Sequence, residues 1–279
     1  MELIDYVLIG LAGLTGGFIA GFLGIGGGIV YVLILPIAFS NLNFSEESIV
    51  QLTIANSIFG VFFASLSASI TYWLGKEFYW KEITLVSIAG GIGAVLAFEL
   101  IVDTIWYSKD LFNSILVLLL SYLLYNTIKN RNLEKESKVP PRKKNNGFFL
   151  FAGFGGGLVS ALSGLGGGTV LIPFLNSVMR IRIHRAKAIS LGMILFTSLV
   201  ITFLNLTSVT ANVQFSNSGY IVFPVALPLS LGVVIASPLG VRISKTVSSS
   251  NINIIFAIFI FLVIISKVWE TYLYFTGQN

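Results

Sequence analysis

A glycine-rich stretch that occurs twice constrains this sequence more than any other feature. The first copy is GFLGIGGGIV at residues 21–30, and the second is SGLGGGTV at residues 163–170. Aligning Gly24 with Gly164 gives an offset of 140 residues in a chain of 279. Because each copy interrupts an otherwise apolar segment, the chain is predicted to consist of two related halves.

The surrounding segments are too apolar for a soluble protein. Hydrophobic residues make up 55% of the chain and charged residues 10%, whereas about 25% charged residues is typical of soluble domains. We therefore predict an all-α, multi-pass protein of the cell membrane. Four apolar segments fall in each half, at 6–39, 49–74, 83–101 and 111–128 and at 147–178, 188–210, 219–241 and 252–275.

The first segment of each half is too long for one simple crossing. These segments have 34 and 32 residues, whereas a spanning helix needs about 20. Each is therefore predicted to be a broken or re-entrant helix, in which 6–22 pairs with 28–39 and 147–162 pairs with 168–178. The alternative is one long, kinked crossing.

The distribution of basic residues favours the re-entrant arrangement. If only the other six segments span, the cytoplasmic loops are 75–82, 129–146, 179–187 and 242–250, and they contain 15 of the 17 Lys and Arg residues. If all eight segments spanned, two of these loops would lie outside with six basic residues. The positive-inside rule therefore predicts six spans, with both termini outside.

Three full crossings per half make the second half enter the membrane inverted relative to the first. The predicted organisation is a first repeat at 1–128, a basic cytoplasmic linker at 129–146 and a second repeat at 147–279. Loop 40–48 contains two glutamates, and its counterpart 179–187 contains four basic residues, as inversion requires. Inverted repeats with discontinuous helices are typical of secondary transporters, whose substrate sites lie at the helix breaks.

A half-helix that begins inside the membrane presents unpaired amide N–H groups and the positive end of its dipole. Two such starts, one in each half, predict an anion site between them. The alternative is that the glycines only allow tight helix packing and that the polar side chains bond to other helices or to their own backbone. The predicted substrate-binding residues are Gly24, Gly26, Gly27, Gly28, Asn56, Ser57, Gly164, Gly166, Gly167, Gly168, Thr169 and Ser190.

Several classes of chemistry have no visible residues in this sequence. No charged residue lies near the centre of an apolar segment, so a relay of buried carboxylates is not predicted. The chain has no cysteine, which excludes disulfides and thiolate metal sites. No catalytic set or metal-binding motif lies at membrane depth, so neither an enzyme, a metal nor a cofactor is expected. The net charge of +5 resides in loops and reports topology rather than a nucleic-acid partner.

The glycine motifs also carry a resemblance to a known family. With GFIAGFLGIGGG at 17–28, GLVSALSGLGGGTVLIP at 157–173, TIANS at 53–57 and AISLG at 188–192, the chain resembles the TauE/SafE sulfite exporter family of membrane transporters. The resemblance implies movement of small anions, often sulfur oxyanions such as sulfite, or organosulfonates.

The function predicted from the sequence is transport of such an anion by alternating access, with the anion held at the half-helix starts. A passive anion channel or a carboxylate carrier on the same scaffold are the alternatives. The expected partners are the small anion and the lipid bilayer, and the sequence makes no prediction of oligomeric state.

Overall fold

The computed structural model describes residues 3–101, 109–130, 146–208 and 217–248, and part of 251–269. The described chain is almost entirely helical, apart from one two-stranded hairpin and a π-helical turn at Phe174–Val178. The elements are α1 (Leu3–Leu23), α2 (Gly28–Asn41), α3 (Glu46–Leu74), α4 (Trp80–Ile101), α5 (Lys109–Asn130), α6 (Asn146–Ser163), α7 (Gly168–Pro173), α8 (Ile183–Thr207), β1 (Asn217–Ser218), β2 (Ile221–Val222) and α9 (Phe223–Ser244).

Six helices of the described residues, α1, α3, α4, α6, α8 and α9, are long and apolar enough to cross a membrane. The predicted all-α, multi-pass class is therefore confirmed. Of these six helices, α3 and α8 have the largest buried share, so they form the centre of the molecule. Most of the predicted linker at 129–146 lies outside the described residues.

The first apolar segment of each half is interrupted at its glycine run. Helix α1 ends at Leu23 and α2 begins at Gly28, while α6 ends at Ser163 and α7 begins at Gly168. Three glycines of the first run and two of the second have positive φ angles, between 68° and 92°. L-residues with a side chain rarely adopt this conformation, so the backbone path itself requires glycine there.

The chain reverses direction at both interruptions. A Cβ atom placed on Gly16 of α1 would lie 2.2 Å from the ring of Tyr31 in α2, so α2 folds back beside α1. In the second half, the ring of Phe174 lies 6.4 Å from that of Phe148 and 6.0 Å from that of Phe151. The segment after α7 therefore returns along α6 toward the start of that helix.

Glycines bring the long helices into main-chain contact. Helix α1 runs beside α9, where a Cβ atom on Gly21 would lie 2.0 Å from the carbonyl oxygen of Ser237. Helix α4 runs beside α6, where a Cβ atom on Gly157 would lie 1.9 Å from the carbonyl oxygen of Gly90. Small residues at such contacts allow helices to approach closely, which drives their association in lipid.

Replacement of Gly157 by alanine is expected to destabilise the protein, because its methyl group would force α4 and α6 apart. Overpacking of this kind costs about 1–3 kcal/mol. Gly155 lies two residues away in α6, and nothing lies within 4 Å of a Cβ atom placed on it, so Gly155→Ala is the matched control. Thermal unfolding of the purified protein in detergent should give a melting temperature several degrees lower for Gly157→Ala only. Equal melting temperatures for the two variants would contradict the packing.

Candidate functional site

The two glycine runs meet near the middle of the central helices. We call residues 24–28 and 164–168 together the glycine crossing; all ten are buried. A Cβ atom on Gly166 would lie 3.6 Å from Cα of Gly26, and one on Gly26 would lie 3.0 Å from the side chain of Val61, halfway along α3. Segments about 140 residues apart in the chain are therefore in direct main-chain contact.

Two serines join the halves reciprocally at the glycine crossing. Ser57 of α3 donates a hydrogen bond from Oγ to the carbonyl oxygen of Gly164, at 2.7 Å. Ser190 of α8 donates from Oγ to the carbonyl oxygen of Gly24, at 2.9 Å. Each hydroxyl thus satisfies a buried carbonyl of the opposite half, and the two acceptors are the residues that align at the offset of 140.

The same correspondence holds within each half. A Cβ atom on Gly27 would lie 2.3 Å from the carbonyl oxygen of Gly16, and one on Gly167 would lie 2.3 Å from that of Gly156. Both pairs obey the offset of 140 residues. The start of the second helix in each hairpin is therefore held against the first helix by the same contact.

The glycine crossing contains buried amide groups that no acceptor in the described part of the chain satisfies. Most buried backbone N–H groups in proteins are hydrogen-bonded, and the exceptions include the first amides of a helix. Six such groups close together form a site rich in donors, with partial positive charge from two helix starts. Among the described residues, no acceptor is bonded to the amides of Gly26, Gly27, Gly28, Gly166, Gly167 and Gly168.

Asn56 bonds to a neighbouring loop rather than to the glycine runs. Its Nδ2 donates to the carbonyl oxygens of Leu52, at 2.7 Å, and Tyr220, at 3.0 Å. Its Oδ1 accepts a hydrogen bond from the amide of Val222, at 2.9 Å. The side chain therefore fastens the hairpin before α9 to α3, and its contact with a substrate stays a prediction.

Thr169 also bonds locally, because its Oγ1 donates to the carbonyl oxygen of Gly166 at 3.3 Å. This bond stabilises the turn that leads into α7. It leaves the predicted contact of Thr169 with a substrate untested.

Lys187 is a buried cation at the glycine crossing that the sequence analysis missed. The predicted loop 179–187 was too long, since α8 begins at Ile183 and includes Lys187, which is 1% exposed. Its Nζ donates to the carbonyl oxygen of Phe22 at 2.9 Å. A hydropathy window excludes a run such as IHRAK, although charged residues readily begin a helix. The spacing of Lys187 and Ser190 could have revealed this position. Residues three apart in a helix lie on the same face, so Lys187 is expected on the face of the predicted site residue Ser190.

Ion pairs join the two halves at one end of the molecule. Arg185 Nη2 lies 2.6 Å from Glu82 Oε1, and the guanidinium lies 4.3 Å from the centre of the Tyr79 ring. Lys245 forms a second ion pair, with Glu77. We call this region, formed by 75–82, 179–185 and 242–248, the basic end. The contacts bring together three loops that the charge distribution predicts to lie on the same side of the membrane.

The open donors of the glycine crossing are its amides, whereas the hydroxyls of Ser57 and Ser190 and the ammonium of Lys187 donate to main-chain carbonyls. In the described part of the chain, no group of three His, Cys, Asp or Glu residues could hold a metal ion. The donor set suits a small, negatively charged ligand.

The profile of the family described as sulfite exporter TauE/SafE matches residues 9–266 of the chain. The chain belongs to the TauE/SafE sulfite exporter family. The resemblance carried by the glycine motifs is therefore confirmed, and the protein is a membrane transporter of that family. A multi-pass location in the membrane follows from the family and from the six apolar helices.

Curated relatives of this TauE/SafE protein are named as transporters. A "probable membrane transporter protein" of Methanocaldococcus jannaschii is 29% identical over 248 residues, which cover 85% of this chain and 87% of the relative. The "probable membrane transporter protein YunE" of Bacillus subtilis is 24% identical over 287 residues, which cover 96% of this chain and 98% of the relative. No solved structure matches the chain significantly.

Proposed function

We propose that this transporter moves a small anion, either sulfite or a related sulfur oxyanion or organosulfonate, which binds at the glycine crossing. The observation that carries the proposal is a set of six buried amides at the two helix starts, for which the described residues provide no acceptor. An oxyanion accepts several hydrogen bonds at once, so it satisfies these donors together. The family description, which names sulfite, supports the choice of substrate class.

We further propose that the two halves are inverted repeats whose first segments re-enter the membrane. The reciprocal bonds of Ser57 and Ser190 to Gly164 and Gly24 support this arrangement, because a twofold axis in the membrane plane would exchange them. The reversals after α1 and α6 support the re-entrant hairpins. Their tips would then bring both helix starts to mid-membrane, where neither lipid nor bulk water satisfies the amides.

Transport by alternating access requires the path to be closed on at least one side of the anion. In the structure the two glycine runs are in direct contact. The ion pairs at the basic end join α4 with α8 and the loop between α3 and α4 with the residue after α9. We propose that this arrangement is closed toward the basic end. Separation of the ion pairs would open a path from that end to the glycine crossing.

Uptake of radiolabelled sulfite into proteoliposomes tests the proposed function. We expect saturable uptake that exceeds that of empty liposomes and is accelerated by unlabelled sulfite trapped inside, because a carrier exchanges its substrate across the membrane. Thiosulfate should compete, and acetate should compete poorly. Non-saturating flux without counterflow would favour an anion channel, preference for acetate would favour a carboxylate carrier, and no uptake of any of these anions would contradict the proposal.

A further inference from the structure

Lys187 is the buried charged group closest to the glycine crossing. Its side chain is 1% exposed, and its Cγ would lie 2.8 Å from a Cβ atom placed on Gly24. It lies one helical turn before Ser190, whose hydroxyl donates to Gly24. The stem of Lys187 therefore packs against the first glycine run, and its ammonium bonds two residues before that run, at Phe22.

The contacts of the ammonium explain how a charge is tolerated at this depth. Nζ donates to the carbonyl oxygen of Phe22, one residue before the end of α1, and lies 5.8 Å from the centre of the Phe22 ring. The carboxyl end of a helix carries partial negative charge, and an aromatic face attracts a cation. Both contacts stabilise the ammonium near the glycine crossing.

Capping of α1 alone does not require a lysine. Burial of an ammonium costs several kcal/mol even when it is hydrogen-bonded. A neutral donor, or an αL glycine motif, satisfies terminal helix carbonyls without that cost. A full charge at this position is therefore more than the Phe22 carbonyl requires.

The positive charge is present in only one half of the glycine crossing. Aligning Ser57 with Ser190 gives an offset of 133, which places Ile54 opposite Lys187. The structure agrees, because a Cβ atom on Gly164 would lie 3.3 Å from Ile54, just as one on Gly24 would lie 2.9 Å from Cβ of Lys187. The main-chain geometry is repeated in the two halves, but the cation is not.

We infer that Lys187 is the residue that selects negatively charged substrates at the glycine crossing. This inference rests on the proposed function and adds a charged partner to the amides. When an oxyanion occupies the glycine crossing, the ammonium bonds to the anion, and the flexible stem of Lys187 allows it to turn there from the Phe22 carbonyl. The amides orient the oxyanion through hydrogen bonds, and the ammonium of Lys187 attracts its negative charge.

Sulfite-induced thermal stabilisation of the purified, full-length protein tests this inference. The variants are Lys187→Gln, which keeps a donor for the Phe22 carbonyl but loses the charge, Lys187→Met, which keeps the apolar stem, and Lys187→Arg, which keeps the charge. Lys81→Gln is the matched control, because Lys81 is an exposed lysine at the basic end. Each protein is titrated with sodium sulfite against sodium chloride at equal ionic strength, and uptake into proteoliposomes is measured alongside.

We expect the midpoint of the sulfite titration to rise about 10- to 100-fold in Lys187→Gln and Lys187→Met, which corresponds to loss of a charge-assisted hydrogen bond. Lys187→Arg should retain part of the affinity, and Lys81→Gln should behave as the wild type.

Unchanged sulfite affinity with a lower melting temperature without sulfite would mean that Lys187 only caps α1, which would overturn the inference but not the proposed function. If neither uncharged variant yields folded protein, the sulfite affinity of Lys187→Arg is the test. Loss of that affinity, although the charge is retained, would also overturn the inference. A wild type that neither binds nor transports any tested anion would overturn both.

Discussion

Sulfite uptake is expected to fall to the level of empty liposomes when Gly27 or Gly167 is replaced by leucine. At each position even a Cβ atom would lie 2.3 Å from a carbonyl oxygen of the preceding helix, so the larger side chain must displace the start of α2 or α7. Gly27 also has a φ of 76°, a conformation that costs an L-residue about 1–2 kcal/mol. Displacement of either helix start would move its amides away from the proposed anion site. Uptake into proteoliposomes provides the measurement.

The matched control for these variants is Gly91→Leu in α4. Nothing lies within 4 Å of a Cβ atom placed on Gly91, so its leucine tests insertion of a large side chain into a membrane helix without a clash. Gly91→Leu should transport as the wild type, and all three variants should elute from size-exclusion chromatography as the wild type does. Retained uptake in folded Gly27→Leu and Gly167→Leu would exclude the glycine runs from the transport path.

Covalent cross-linking of the basic end is expected to stop transport. The chain has no cysteine, so Glu77→Cys with Lys245→Cys introduces the only two thiols. They replace an ion pair between the loop that joins α3 to α4 and the residue after α9. A short bis-maleimide should join them and reduce uptake to background, because the halves can no longer separate at this end. Thioether links are required, since sulfite cleaves disulfides. Sulfite uptake before and after cross-linking is the measurement.

Two comparisons make the cross-linking result specific. The single variants Glu77→Cys and Lys245→Cys, treated with the same reagent, should keep the uptake that they show before treatment. The double variant without reagent should transport, because the ion pair is proposed to break in every cycle. Full uptake by the cross-linked protein would contradict opening at the basic end and would favour a static pore.

Hydropathy and glycine content predict where most helices of this fold lie, because both act locally. The six helices that are long and apolar enough to span nevertheless include α1 and α6, which belong to the segments predicted to re-enter. The helices are interrupted at 24–27 and 164–167, where clustered glycines allow the positive φ angles that a regular helix excludes. Membership of the TauE/SafE family follows from the same motifs. These signals depend on residues close together in the chain, so no tertiary information is needed.

The partners of the polar residues could not be predicted, because they lie far away in the chain. Ser57 bonds to Gly164, and Asn56 bonds to Tyr220 and Val222. Nothing in the sequence around Asn56 distinguishes a residue that holds a hairpin from one that binds an anion. Both environments require the same amide side chain at a buried helix position.

Lys187 was missed for a different reason. Counting basic residues in loops assigns every lysine near a segment end to the solvent, although a lysine can begin a helix with its side chain directed inward. The carbonyl of Phe22, which accepts a hydrogen bond from the ammonium, lies 165 residues earlier in the chain. Burial of this charge can therefore be recognised only from the tertiary structure, whereas the glycine runs can be recognised from the sequence.

The central claim is that the two helix starts of the glycine crossing hold the transported anion between them. A cryo-electron-microscopy map of the active protein in lipid nanodiscs, saturated with sulfite, tests this claim most directly. We predict density for the anion within hydrogen-bond distance of amides from both 26–28 and 166–168. Sulfite density elsewhere, with the two runs still packed against each other, would contradict the claim.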